Sequence, residues 1–194
     1  MAGTRVSICS NALLLLGAKT IASLDEDNDR AQLANNLYES VRDMTLRSHP
    51  WNCAVKRVVL APDVTAPAFD YAAAFTLPSD WLRTLQVGED GYEVDYKTES
   101  GKILAGGTSL PLRYIWRNTV ESTWDAMLVH AMELQMAAAM AYPITMSTTK
   151  EDAAFKKLQM FMRDARNVDG QDDPAQTLGD FPLMNARFGG SRRY

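Results

Sequence analysis

Two periods take turns along this chain. Ala34, Leu37, Tyr38, Val41 and Met44 recur at three- and four-residue spacing, with Glu39, Arg42, Asp43 and Arg47 on the opposite side. One apolar stripe beside one charged stripe predicts an amphipathic helix with a single buried face. Pro50 lacks a backbone donor and pushes His49 out of helical dihedrals, so this helix ends at or just before it. At Trp51 the period changes. Ala54-Val55-Lys56-Arg57-Val58-Val59-Leu60 is rich in β-branched residues and closes on Ala61-Pro62, which predicts a strand and a turn.

The same reading extends in both directions. Upstream, Val6, Ile8, Cys9, Ala12, Leu13 and Leu16 form a helical stripe ending at Gly17, a natural left-handed cap. Asp27 or Asn28 is the expected N-cap of the long second helix. From Trp51 to Asn118 the chain is strand-like, broken by turn signals at Pro62, Pro67, Pro78, Gly88, Gly91, Gly101, Gly106-Gly107 and Pro111. Tyr92–Thr98 and Lys102–Ala105 are expected to pair as a hairpin across Glu99-Ser100-Gly101, and Leu112, Tyr114 and Trp116 to share a face opposite Arg113. The plain expectation is one antiparallel sheet.

Helical pattern returns at Ser122-Thr123-Trp124-Asp125, a weak capping box, and Trp124, Met127, Leu128, Ala131, Gln135 and Ala138 follow one face as far as Tyr142-Pro143. Thr148-Thr149-Lys150-Glu151 then caps a last helix with Ala154, Leu158, Phe161, Met162 and Ala165 inward, ending near Gly170. The fold class expected is α+β: a four-helix bundle with an antiparallel β insertion between helices two and three and an extended C-terminal tail. The divisions fall at 1–50 and 119–170 for the two helical parts, 51–118 for the insertion and 171–194 for the tail. That tail has no period, yet it carries Leu178, Phe181, Leu183, Met184, Phe188 and Tyr194, more large apolar groups than a pure linker holds.

Composition narrows the function. With 46% apolar and 23% charged residues the chain is ordinary for a globular protein. A net charge of -4 argues against binding driven by phosphate neutralisation, although a mildly acidic wall suits a channel through which DNA slides. No apolar run approaches the ~20 residues of a membrane span, and the start of the chain lacks a signal-peptide core, so a soluble, unexported protein is expected. Cys9 and Cys53 have no partner at metal or redox spacing and read as two buried free thiols in a reducing compartment.

Candidate chemistry is thin. Asp25, Asp27 and Asp29 imitate the start of a calcium loop, but Arg30 stands where glycine is needed and Asn36 where a glutamate is needed; helix capping is the simpler reading. His49 reads as a helix-end contact and His130 as a packed or interfacial side chain. Gly106-Gly107 lacks the lysine of a nucleotide loop. Glu93 and Asp95 share a strand face, leaving a small hydrolase as one alternative. Arg42, Arg47, Lys56 and Arg57 leave a DNA-binding helical regulator as another. Met127, Met132, Met136, Met140, Met146, Met160 and Met162 suit either a pliable core or subunit boundaries. Trp81 reads as the lid of a small core.

The succession of a helix ending in His49-Pro50-Trp51-Asn52, a strand with Lys56-Arg57, and Phe75-Thr76-Leu77-Pro78-Ser79-Asp80-Trp81-Leu82-Arg83 resembles the tail tubular protein A family, head-to-tail adaptors of short-tailed bacteriophages. The resemblance covers Val6 to Ala165, and its motifs are structural. It implies a non-enzymatic virion protein without cofactors or metals, assembled in the host cytoplasm as a twelve-subunit ring. A portal protein would lie above and a tail nozzle below, with genomic DNA passing through unread. Pro50, Trp51 and Trp81 would form the junction core. The tail matches the family least; the residues expected to dock it on the portal are Phe181, Leu183, Met184 and Phe188, with Arg187, Arg192 and Arg193 meeting acidic surfaces.

Overall fold

The computed structural model describes residues 3–89 and 94–172, with side chains described as far as Ala165 in the last helix. It is a mixed α+β protein with four α-helices and two small antiparallel sheets among the described residues.

The first helix, α1 (Arg5–Leu15), starts on a reciprocal capping box: Ser7 N–H donates to Thr4 Oγ1 and Thr4 N–H to Ser7 Oγ. It ends on Gly17 at φ 74°, where Ala18 N–H reaches back to the Leu13 carbonyl and Gly17 N–H to that of Leu14. That paired closure is a Schellman motif, and it needs the left-handed residue that glycine supplies without strain. The second helix, α2 (Asp29–Ser48), is capped by Asn28, whose Oδ1 accepts from Ala31 N–H at 2.9 Å. The acidic lead before it is built around Glu26, which accepts from the Ala22 and Ser23 N–H groups and from Asn28 Nδ2.

Two positions of α2 depart from the expected stripe. Met44 is 51% exposed, whereas Arg42, expected on the solvent side, is buried. In its last two turns α2 buries Val41, Arg42, Thr45 and Leu46 where the sheet meets it, so the inward face swings by one position.

The third helix, α3 (Ala126–Thr145), begins later than Ser122 predicts. Glu121–Thr123 is a 3₁₀ turn, Trp124 is buried with an extended backbone, and Asp125 Oδ1 caps by accepting from Leu128 N–H at 2.8 Å. Burying Trp124 delays the helix. It also runs past Pro143: Thr145 Oγ1 donates to the Ala141 carbonyl and Met146 N–H to that of Tyr142, so one missing donor near the terminus does not stop it. Its buried residues, from Leu128 and Met132 through Met136 and Met140 to Ala141, cover most of its circumference rather than one face. The reason is its place: α1, α2 and the fourth helix, α4 (Thr148–Asp172), all pack on it. α4 turns Leu158 and Ala165 inward with Ala154, Phe161 and Met162 partly buried beside them, as its period predicts.

Among the described residues, six strands separate α2 from α3: β1 (Val55–Leu60), β2 (Ala73–Thr76), β3 (Trp81–Val87), β4 (Tyr96–Glu99), β5 (Lys102–Ala105) and β6 (Leu110–Trp116). They form two sheets, β1-β6-β3 and β2-β5-β4, where one was expected. The β4–β5 hairpin turns on Ser100-Gly101, both at positive φ, the geometry of a two-residue primed turn. Phe75, Ile103 and Ala105 of one sheet cluster with Leu110, Leu112 and Tyr114 of the other, while Ile115 on the reverse face of β6 joins the helical core. The first sheet is thus covered on one face by the second sheet and, at the Ile115 end of its other face, by the helices.

Irregularities in β3 make this possible. Strict alternation would put Leu82 and Leu85 on opposite faces, yet both pack against the helical core, because the register shifts between Thr84 and Gln86. Pro111, read from sequence as a turn signal, lies inside β6 opposite Val59. Its carbonyl accepts from Gly88 N–H just past the end of β3, so the donor that proline lacks faces the side where the ladder has already stopped.

Candidate interaction surfaces

The junction between helices and sheets is built from a few polar side chains. Trp51 is fully buried in the helical core; its Nε1–H donates to the Thr45 carbonyl at 3.2 Å, and the His49 ring meets it edge-on at 4.8 Å. Trp81 packs instead with the sheet cluster and donates from Nε1 to Thr84 Oγ1. Of the junction residues Pro50, Trp51 and Trp81, the two tryptophans serve two different clusters, Trp51 the helical one and Trp81 the one between the sheets.

What latches the crossings is Asn118, 1% exposed. Its Nδ2 donates to the Cys53 carbonyl at 3.0 Å and to Thr123 Oγ1 at 2.9 Å, and its Oδ1 accepts from Val120 N–H at 3.0 Å. One side chain thereby ties the way into the strands to the way out. Asp43 adds a second strap, accepting from Arg42 Nε and Nη2 on one oxygen and from Arg117 Nε at 2.7 Å on the other. Asp80 adds a third, with Lys56 Nζ at 2.8 Å and the Tyr114 hydroxyl at 3.0 Å, while the Lys56 ammonium also sits 3.5 Å above the Trp116 ring.

These contacts move proton affinities. Burial pulls the Asp80 carboxyl upward, but the Lys56 ammonium and the Tyr114 hydroxyl outweigh it and hold it below the usual carboxylate range. Tyr114 is pushed up to about 12, first by burial and then by its bond to the Asp80 carboxylate and that group's charge. Burial pushes the Cys9 thiol up to about 12, against the pull of Arg5. Tyr38, fully buried with its hydroxyl on Glu121 Oε1 at 2.9 Å, is raised by burial and that carboxylate.

Asp95 is exposed, and Glu93 lies outside the described residues. His130 hydrogen-bonds Glu133 at 2.9 Å and stacks edge-on with Phe161, while Glu133 also accepts from Asn11, a stitch joining α1, α3 and α4. Cys9 and Cys53 are not joined in a disulfide; Cys9 is buried and Cys53 partly so, its Sγ 3.9 Å from Asp125 Oδ2. Among the described residues no three His, Cys, Asp or Glu side chains gather as a metal ion requires, and no helix is long and apolar enough to cross a membrane. Of the four cations suggested for DNA, Arg42 is bound to Asp43, Arg47 donates to the Leu82 carbonyl, and Lys56 is held by Asp80. Only Arg57 of that set stays on an open sheet face. The docking residues Phe181, Leu183, Met184, Arg187, Phe188, Arg192 and Arg193 lie outside the described residues.

Two surfaces remain as candidates for binding. One is an apolar groove of about 460 Å³ between the end of α1 and the start of α4, walled by Leu14, Leu15, Leu134 and Ala154, with Lys150 and Lys157 on its rim. Leu14 is 57% exposed, and Phe155 and Met160 on α4 are exposed as well. Of the methionines, Met132, Met136 and Met140 fill the core, whereas Met146 and Met160 face solvent. The other is a groove of about 410 Å³ on the face of the β1-β6-β3 sheet that Ile115 shares, at the end away from Ile115, lined by Arg57, Val59, Gln86, Pro111 and Arg113. No family model matches the chain, and no curated protein matches it either.

Proposed function

We propose that this chain is a structural adaptor subunit of a short-tailed bacteriophage, joining head to tail in a ring of copies beneath the portal protein. The observation that carries the reading is the likeness of the His49–Asn52 junction and the Phe75–Arg83 segment to the tail tubular protein A family. The apolar surface left on the helices supports it: Leu14, Leu15, Phe155 and Met160 are uncovered in the single subunit, and side-by-side copies would cover them. In this reading the helices form a bundle into which the two sheets are inserted, and the sheets project toward the tail nozzle.

The mechanism needs no bond chemistry. Twelve copies extend the DNA channel, and a net charge of -4 gives a wall that does not grip phosphate. Residues 173–194 dock on the portal, where Phe181, Leu183, Met184 and Phe188 gain burial at the cost of ordering their segment. Arg187, Arg192 and Arg193 meet acidic portal surfaces. The protein then resides in the virion at the head–tail interface.

The test is a size measurement by mass photometry of the full chain alone and with its portal, followed by particle imaging. The expected result is a ring complex with portal, and its loss on truncation after Asp172 while the truncated chain stays folded. Portal binding unimpaired by that truncation removes the tail from the mechanism. No assembly of the full chain with portal removes the adaptor reading.

A further inference from the structure

We propose that the open end of the β1-β6-β3 sheet face that carries Arg57 and Arg113 is a docking groove for an acidic, extended segment of a partner protein, read by that cross-strand pair. The two arginines stand directly opposite each other on β1 and β6. Like charges in that position repel, so the pair is costly in the free subunit and favourable once an anion lies between them. Arg113 Nε is buried and has no hydrogen-bond partner among the described residues. Buried donors are almost always paired in a finished structure, and an unpaired guanidinium nitrogen beside an open groove marks a missing acceptor.

The chemistry of the missing acceptor follows from the lining. Two guanidinium forks suit planar carboxylates, which they bind through paired N–H···O bonds. Among the described residues of the lining, Glu89 supplies one carboxylate against two cations. The remaining wall is apolar: Val59 is 67% exposed and stands beside Pro111. A carboxylate and an aliphatic side chain two residues apart, on one face of an extended segment, match the Arg57–Val59 spacing of that wall, whereas a nucleic acid would need a run of phosphate contacts that a chain of net charge -4 does not offer here. β1 is also an edge strand, so an extended segment can lie along it. The groove belongs to the single subunit, and the proposal stands whether or not the chain forms rings.

The experiment titrates the isotope-labelled full chain with a capped heptapeptide whose second and sixth residues are glutamate, its fourth valine and the rest serine, so that acid and aliphatic share one extended face, followed by heteronuclear NMR. The controls are the glutamine counterpart, inorganic phosphate and a single-stranded oligonucleotide. The expected result is shifts of the Arg57 and Arg113 Nε–H signals and of the β1 amides, with affinity at least about tenfold weaker for the glutamine peptide and for Arg113→Gln. Arg57→Gln, at an exposed position, carries the same expectation if the Arg113 variant does not fold. Overturning results are an absence of shifts at millimolar peptide, equal binding of the glutamine peptide, wild-type affinity in the Arg57 variant, or phosphate or oligonucleotide displacing the peptide as the tighter ligand.

Discussion

Replacing Asn118 by alanine tests whether the two crossings between helices and sheets are held by one side chain. The substitution removes three hydrogen bonds and leaves two backbone groups without their partners, the Cys53 carbonyl and the Val120 N–H. Thr123 keeps its own bond to the Val120 carbonyl, so its hydroxyl is not stranded. An unsatisfied buried group costs ~1–3 kcal/mol, and both groups here are only partly buried, so the sum is about 2–4 kcal/mol. For a chain of this length each kcal/mol lowers Tm by roughly 2–4 °C, which puts the drop at about 4–16 °C. Asn118→Asp separates the latch from mere side-chain volume. It keeps the acceptor for Val120 but turns a carboxylate toward the Cys53 carbonyl at a site 1% exposed, so its loss of stability should be larger at pH 7 than at pH 5. Calorimetry of the full chain reads both. A fall of less than about 2 °C for the alanine variant, or an aspartate variant as stable as wild type at pH 7, refutes the latch.

Two further outcomes follow from the same contacts. Because the folded Asp80 carboxyl is held below its unfolded value, the unfolded chain takes up the proton first, so the stability it contributes is present above about pH 4 and lost as pH falls through the folded value. Tyr114 has the opposite sense: the unfolded chain releases its proton near pH 10 and the folded chain near 12, so stability falls between them. Urea midpoints across pH should drop at both ends, with Asp80→Asn flattening part of the acid limb; an unchanged acid limb would remove Asp80 from the account. The thiols should differ in reactivity: a disulfide reagent at pH 7.5 should modify Cys53 quickly and Cys9 only on unfolding, because Cys9 is fully buried and its thiol is pushed up to about 12. Rapid labelling of a Cys53→Ser variant would contradict that burial.

Where the chain's own period dominates, sequence reading and structure agree closely. α2 ends at Ser48 before Pro50, α1 closes on Gly17, and the β4–β5 hairpin turns where Ser100-Gly101 predicts. Apart from Pro143, which local hydrogen bonds carry the helix past, the misses share one cause. Trp124, Arg42, Met44 and Pro111 depart from expectation because each responds to a neighbour distant in sequence: the core that takes Trp124, the sheet against the end of α2, and the point where β3 stops beside β6. The candidate site was less legible. Nothing local marks Asn118, Asp43 or Asp80 as straps, because the partners that make them so, Cys53, Arg117 and Lys56, lie far along the chain. Arg113 was read only as the polar side of a strand, since its pairing with Arg57 depends on a register that no local pattern specifies.

Local chemistry by itself determined where this chain is helical, where it is extended and where it turns, because capping groups, prolines, glycines and apolar period act over a few residues. Tertiary structure alone decided that the strands divide into two sheets, that α3 is buried on nearly every side, and which charges are spent on internal straps. Those outcomes depend on surfaces meeting across long stretches of chain. The physical reason is that burial and electrostatic pairing are settled by neighbours in space, and a sequence records only neighbours along the backbone.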